Sequence, residues 1–341
     1  MSEDISIIGG GSWGTALASL LSKNKHQVLI YVRDSDLADS INNENINRRY
    51  FPDTKLSKLI RATTDLSKAV NYGDYIVMSV PTDATRMVMK KIEPLLSKDQ
   101  IIISTAKGIE ENSYLRNTEI IAQFCTNEIV ALSGPTHAEE VIKELPSAAV
   151  IAGKNRKIAE RVQDIFMSDT FRVYTNPDIK GVEMGGAVKN IIAVASGISD
   201  GLGYGDNSRA ALITRGLTEI SRLGTHLNCK ILTFAGLSGM GDLVVTCTSM
   251  HSRNRRFGIN IGKGLNFQEA LDKVGQAVEG VKTTRAIYNW KKEENFDFDL
   301  PITTQIYKVL FKGKKPLQAV DDLMLRGPKN EMENVVEESD W

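Results

Sequence analysis

The first half of the chain alternates short, continuously apolar runs with stretches whose apolar residues recur every three or four positions. The runs are "ISIIG" (5–9), "QVLIYV" (27–32), "YIVMSV" (75–80), "QIIIST" (100–105), "EIVALSG" (128–134) and "SAAVIAG" (147–153). Strands of a parallel sheet covered on both faces read this way, because neither face meets water. Between them, "WGTALASLLSKN", "DATRMVMKKIEPLL" and "KIAERVQDIFMS" carry helical spacing. The alternation predicts an α/β domain with a doubly wound sheet.

After "TNPDIKG" (175–181) the texture changes. "VEMGGAVKNIIAVASGISDGL" and "NSRAALITRGLTEISRLGTHL" predict long helices, and "NFQEALDKV", "EGVKTTRAIYNWKKE" and "PITTQIYKVLFKG" shorter ones. No strand pattern follows, so an all-α C-terminal domain is expected. The boundary is placed near residue 180, giving domains over 1–180 and 181–341. No low-complexity linker separates them, which predicts a tight seam. The closing "NEMENVVEESDW" reads as a solvated acidic end.

Composition narrows the class. Lys+Arg and Asp+Glu stand at 42 each, which argues against a general nucleic-acid or membrane-surface binder and leaves room for a local anion site. Cys125, Cys229 and Cys247 have no metal-ligand spacing, and three cysteines cannot all pair within one chain. A reducing, cytoplasmic setting is expected, with no metal. No leader is expected, because the first residues lack a basic n-region, and no membrane span, because no stretch is read as reaching about 20 apolar residues.

The first run ends in Gly9-x-Gly11-x-x-Gly14 and opens directly into a helical pattern. Strand, glycine turn and helix, followed by a second strand, form the dinucleotide-binding arrangement of a Rossmann-type domain. Gly9 permits the tight turn, Gly11 lets a pyrophosphate approach the backbone, and Gly14 lets helix and strand pack closely. The helix N-terminus supplies free N–H groups to the phosphates. Ser12 and Trp13 fill the variable positions beside the cofactor; Trp13 could equally serve as core packing. The second strand runs into "LIYVRDS", placing Arg33, with Asp34 next, where a ribose 2′-OH or 2′-phosphate is read. Arg33 inclines the expectation to NADP(H), with NAD(H) tolerated.

Four further segments carry candidate chemistry. "STAKGIE" puts Lys107 just past a strand end, where open α/β sheets bind ligands. "SGPTHAEEV" offers Gly134 and Thr136, and the apolar "GGAVKNIIAVASG" contains Lys189 and Asn190. "GLSGMGDLVVTCTSMHSRNRRFG" contains Asp242, Thr246, Ser252, Arg253 and Asn254. Each has a bland alternative. Lys189 could snorkel to water, Asp242 and Thr136 could cap helices, Glu279 could be a surface acid, and "RNRR" could be a solvated loop.

Taken in order over roughly residues 4–328, "GGGSWGTALA", "AKGIE", "SGPTHAEE", "VKN", "DLVVTCTS", "SRNRRFG" and "QAVEG" make the chain resemble the bacterial-type NAD(P)-dependent glycerol-3-phosphate dehydrogenases. That family reduces dihydroxyacetone phosphate to sn-glycerol 3-phosphate, the backbone for phospholipid synthesis. The resemblance implies Lys189 as general acid in reduction and general base in reverse. It implies substrate contacts from Lys107, Gly134, Thr136, Lys189, Asp242, Ser252, Arg253 and Asn254. Cofactor contacts are implied for Gly9, Gly11, Ser12, Trp13, Gly14, Arg33, Lys107, Ala138, Arg253 and Glu279. Arg255 and Arg256 are expected to face outward or cap, and Cys247 to pack. His137 reads as packing or as a donor behind the site. A homodimer is expected because two-fold assemblies are common. Two rival classes stay open: a β-hydroxyacid or ketopantoate-type dehydrogenase, and an NAD(P)H-binding sensor without chemistry.

Overall fold

The computed structural model describes residues 2–328, 330 and 331; all but two residues of the acidic end lie outside them. The strands are β1 (Asp4–Ile8), β2 (Gln27–Tyr31), β3 (Ile46–Asn47), β4 (Phe51–Lys55), β5 (Ile60–Thr63), β6 (Tyr75–Met78), β7 (Ile101–Ser104), β8 (Ile129–Ser133), β9 (Ser147–Ala152) and β10 (Phe171–Asn176). Eight form one sheet in the order β10-β9-β8-β7-β6-β1-β2-β5, and β3 and β4 pair separately. From β8 to β5 every pairing is parallel. β9 turns back antiparallel to β8, and β10 lies parallel to β9.

The sequence runs find β1, β2, β6, β7, β8 and β9. They miss the two edges for a shared reason. β5 and β10 alternate buried and exposed residues instead of running apolar throughout, since an edge strand meets water on more sides. The reversal at β9 also leaves no trace in an apolar run.

β1 lies between β2 and β6, so the chain leaves it on one side and returns on the other. That is the switch point of a doubly wound sheet, and its crevice opens at the carboxyl ends of β1 and β6. The glycine turn sits there.

Among the described residues no strand follows Asn176. The centre of the second half is the helix Ile179–Gly201, buried almost from end to end. It packs against helices Asp206–His226, Asp242–Thr248, Arg253–Gly262 and Glu279–Glu293. Its contact with Arg253–Gly262 is made by glycines on both sides. A Cβ on Gly197 or Gly201 would strike the backbone of that helix, and one on Gly258 or Gly262 would strike the central helix in return. The short helices 231–234 and 242–248 carry too few turns to stand out as sequence periodicity, and 253–262 opens on the polar run "RNRR", which hides its buried face.

One 18-residue window, 231–248, does match a membrane span by length and hydropathy, which the sequence reading did not register. It is divided between two short helices and the π-turn Leu237–Gly241, and it carries the buried carboxylate Asp242.

Candidate active site

The crevice is built from the turn after β1. Gly9 takes φ +118°, and a Cβ there would stand 2.5 Å from the Ser79 carbonyl oxygen, so only glycine fits. A Cβ on Gly14 would collide with the Gly9 carbonyl oxygen. Gly11 differs: its Cβ would meet no atom of the described residues within 4 Å, leaving open space above the turn. The helix Ser12–Lys23 begins there with no side-chain cap and no acid in its first turn. Asn47 secures the turn from behind, donating to the Gly10 carbonyl (3.2 Å) and to Thr15 Oγ1 (2.8 Å).

These features suit a dinucleotide. Uncapped N–H groups and the positive end of the helix favour a pyrophosphate over water. Trp13 Nε1 is buried with no partner among the described residues, as expected of a group awaiting a ligand. Arg33 is exposed two residues past β2. Asp34 is committed elsewhere, its carboxylate capping the next helix through Asp36 N and Leu37 N.

Lys107 lies three residues past β7 and Gly134 directly follows β8, so both stand at the carboxyl edge of the sheet. Lys107 Nζ donates to the Gly134 carbonyl and to Asp242 Oδ2, each at 2.8 Å. The other carboxylate oxygen of Asp242 accepts from Lys189 Nζ. Lys189 also donates to Thr246 Oγ1 at 2.7 Å, and Thr246 donates to the Asp242 carbonyl at 2.6 Å. Thr246, a candidate of its segment to which the resemblance assigns no contact, lies one helical turn after Asp242 and so reaches the same ammonium.

Lys189 and Asp242 are both buried. Burial pushes the Lys189 amine down to about 8, against the pull of Asp242 and with the push of Lys107. Burial alone would raise the Asp242 carboxyl, but the Lys107 and Lys189 ammonium groups outweigh it and hold it below its ordinary value.

A second chain of contacts ties the site together. Asn190 Nδ2 donates to the Lys107 carbonyl at 3.0 Å, and its oxygen accepts from Asn254 Nδ2 at 2.8 Å. The Asn254 oxygen accepts from Gly280 N at 2.9 Å. Ser252 Oγ caps the helix Arg253–Gly262 through Arg255 N at 3.2 Å. Arg253 is half-buried at that helix start. Thr136 Oγ1 donates to the Gly134 carbonyl at 3.2 Å, and Ala138 is buried behind it. Glu279 opens the helix Glu279–Glu293 and accepts from the Thr82 backbone; a Cβ on Gly108 would meet its Oε2 at 2.6 Å.

Arg255 is the backbone partner of the Ser252 cap, as one of its two expected places allowed, but its side chain does not face outward. It is buried, donating to Asp200 Oδ2 (2.8 Å) and to the Thr248 carbonyl (2.9 Å), so it braces the loop before Arg253. Cys247 packs in the helical core, its thiol pushed up to about 12 by burial.

A dinucleotide crevice joined to a buried lysine, under a helical second half, defines a two-part nicotinamide-dependent dehydrogenase. The sequence models described as NAD-dependent glycerol-3-phosphate dehydrogenase N-terminus and C-terminus match residues 4–159 and 178–321. A protein of Halothermothrix orenii named glycerol-3-phosphate dehydrogenase (NAD(P)+) is 63% identical, covering 100% of both chains. One of the same name from Clostridium acetobutylicum is 52% identical over 96% of this chain and 98% of its own. The crystal structure of glycerol-3-phosphate dehydrogenase from Coxiella burnetii superposes with a TM-score of 0.91 at 38% identity, covering 95% of this chain and 99% of that one. The chain belongs to the NAD-dependent glycerol-3-phosphate dehydrogenase family and is an NAD(P)-dependent oxidoreductase.

Proposed function

We propose that this site reduces dihydroxyacetone phosphate to sn-glycerol 3-phosphate and that Lys189 supplies the proton. The observation that carries this reading is the buried Lys189 ammonium, held by Asp242 and Thr246 beside Lys107 at the carboxyl edge of the sheet. The crevice would hold a nicotinamide dinucleotide, which would supply the hydride for the carbonyl carbon. The carbonyl oxygen then gains negative charge, which Lys189 neutralises by giving up a proton; in the reverse direction its neutral amine takes the hydroxyl proton. Asp242 keeps Lys189 and Lys107 aimed together and balances one of their charges.

The phosphate falls to Arg253, with Ser252, Asn254, Gly134 and Thr136 shaping the pocket, because a guanidinium at a helix start gives a dianion paired donors. The crevice residues Gly9, Gly11, Ser12, Trp13, Gly14, Arg33, Lys107, Ala138, Arg253 and Glu279 take the dinucleotide. The domains divide at residue 180, into 1–180 and 181–341. The two largest hydrophobic clusters support this, since one draws on residues up to Val173 and the other mainly on residues beyond Met184.

The product supplies phospholipid synthesis, and free Cys125, Cys229 and Cys247 suit a reducing cytoplasm. Isologous pairing into a homodimer is supported by exposed apolar surface at Ile231 and Leu232.

The test is oxidation of NADPH and NADH with dihydroxyacetone phosphate, wild type against Lys189→Ala. The expected result is turnover that falls by about 10³-fold or more in the variant while NAD(P)H still binds. Absence of wild-type turnover with either coenzyme overturns the reading.

A further inference from the structure

His137 stands between Thr136 and Ala138, at the entry to the short helix Ala138–Val141, and makes no side-chain capping bond there. Its Nε2 is buried and has no hydrogen-bond partner among the described residues. Ser133 Oγ, at the start of the same segment, is likewise buried and unpartnered, in a gap where a Cβ on Gly186 would meet it at 2.7 Å. Leaving a buried polar atom unpaired costs about 1–3 kcal/mol, so two along one five-residue segment call for a ligand. The segment flanks the site directly, because the Gly134 carbonyl accepts from both Lys107 Nζ and Thr136 Oγ1.

The surroundings fix what the imidazole can bind. Lys189, Lys107, Asp242 and Glu139 act on it electrostatically, and the exposed His251 ring faces it at 5.8 Å between centroids. Burial, then the ammonium groups of Lys189 and Lys107, push its proton affinity below the ordinary range and keep it neutral. A neutral ring between cations is a poor phosphate ligand, and the carbonyl oxygen already has Lys189. The remaining polar group of the substrate is the free hydroxyl on the carbon beside the carbonyl, which can donate to or accept from an imidazole nitrogen.

We propose that His137 Nε2 hydrogen-bonds the free hydroxyl of dihydroxyacetone phosphate and makes the enzyme select hydroxymethyl over methyl ketone phosphates. The proposal rests on the reading of Lys189, Lys107 and Asp242 as the substrate site. His137 is then a specificity-determining contact instead of the packing residue or donor behind the site that its sequence context suggests.

The experiment compares kcat/KM for dihydroxyacetone phosphate with that for 2-oxopropyl phosphate, in which methyl replaces hydroxymethyl. Wild type, His137→Leu and His137→Gln are assayed, with NADPH titration and thermal melts to establish folding. Wild type is expected to prefer the hydroxylated substrate by about 100-fold or more, since a site built for a hydroxyl strongly rejects the analogue lacking it. His137→Leu should cut that preference about tenfold, losing rate mainly with dihydroxyacetone phosphate, and His137→Gln should restore part of it. An unchanged preference in His137→Leu, or an equal loss with both substrates, overturns the proposal. If the leucine variant does not fold, an unchanged preference in the glutamine variant overturns it and a reduced one supports it. Full dihydroxyacetone phosphate reduction by Lys189→Met would instead overturn the site reading itself.

Discussion

Asp242 and Lys189 are 53 residues apart in the chain, yet the carboxylate of one clamps the ammonium of the other inside the helical core. The second oxygen of Asp242 holds Lys107, so one acid organises two cations from opposite sides of the cleft. This arrangement keeps a desolvated amine charged near neutral pH, the state required of the proposed proton donor.

The pH dependence of turnover should follow from it. With Lys189 at about 8, reduction requires the ammonium and should level off at low pH and decline above about 8. Oxidation of glycerol 3-phosphate requires the free amine and should rise toward the same pH. In Asp242→Asn the attraction that raises the amine is gone, so the limb should move to lower pH. Reduction at neutral pH should fall by about 100-fold. Profiles of kcat in both directions check the sign, and an unmoved limb would count against Lys189 as the titrating group.

Gly11 and Gly14 should fail differently when changed to alanine. The Gly11 methyl enters open space, so Gly11→Ala should melt like wild type while binding NADPH at least about tenfold more weakly. In Gly14→Ala the methyl meets the Gly9 carbonyl oxygen, so the first strand and helix must separate. Melting temperature should drop along with affinity. Fluorescence titration beside thermal melts separates the two outcomes.

Arg33 should set coenzyme preference. It is exposed beyond β2, and Asp34 is already spent as a helix cap. Arg33→Ser should lower kcat/KM for NADPH by about tenfold or more with little change for NADH, since only the former carries a 2′-phosphate. Equal losses would place the 2′-phosphate elsewhere.

Glu219 offers a stability test away from the site. Buried under the start of the helix Pro301–Phe311, it accepts from Ile302 N, from Thr303 N at 3.1 Å and from Thr303 Oγ1 at 2.8 Å. Burial outweighs these bonds and raises its carboxyl from 4.5 to about 7. The folded state therefore holds a proton that the unfolded chain has lost, and stability falls as pH climbs through that window. Urea midpoints of wild type should decline from about pH 5 to 7 and then steady, while Glu219→Gln lacks this component. Parallel curves for the two proteins would rule it out.

Legibility in the sequence followed the range of the interactions. The glycine turn was readable because its strand, turn and helix are contiguous. Lys189 was conspicuous as a charge inside an apolar helix, although spacing alone left it free to reach water. The inward course of the Arg255 side chain was not legible because its partner Asp200 lies on another helix. The contacts running from Lys107 through Asn190 and Asn254 to Gly280 join four segments, and no local pattern announces them. The edge strands β5 and β10 escaped because their alternating burial depends on what lies beside them in space.

The glycine seam between the central helix and Arg253–Gly262 has a consequence for substrate length. Lys189 rides on one of these helices and Arg253 on the other, and backbone meets backbone where they cross. On the proposed roles of Lys189 as proton donor and Arg253 as phosphate anchor, these glycine contacts leave no rotamer change that would let the two drift apart. With those roles, main chain would gauge the span from reacting oxygen to phosphate, and a longer phosphorylated ketone should be admitted only by wedging the two helices open at Gly197 or Gly258.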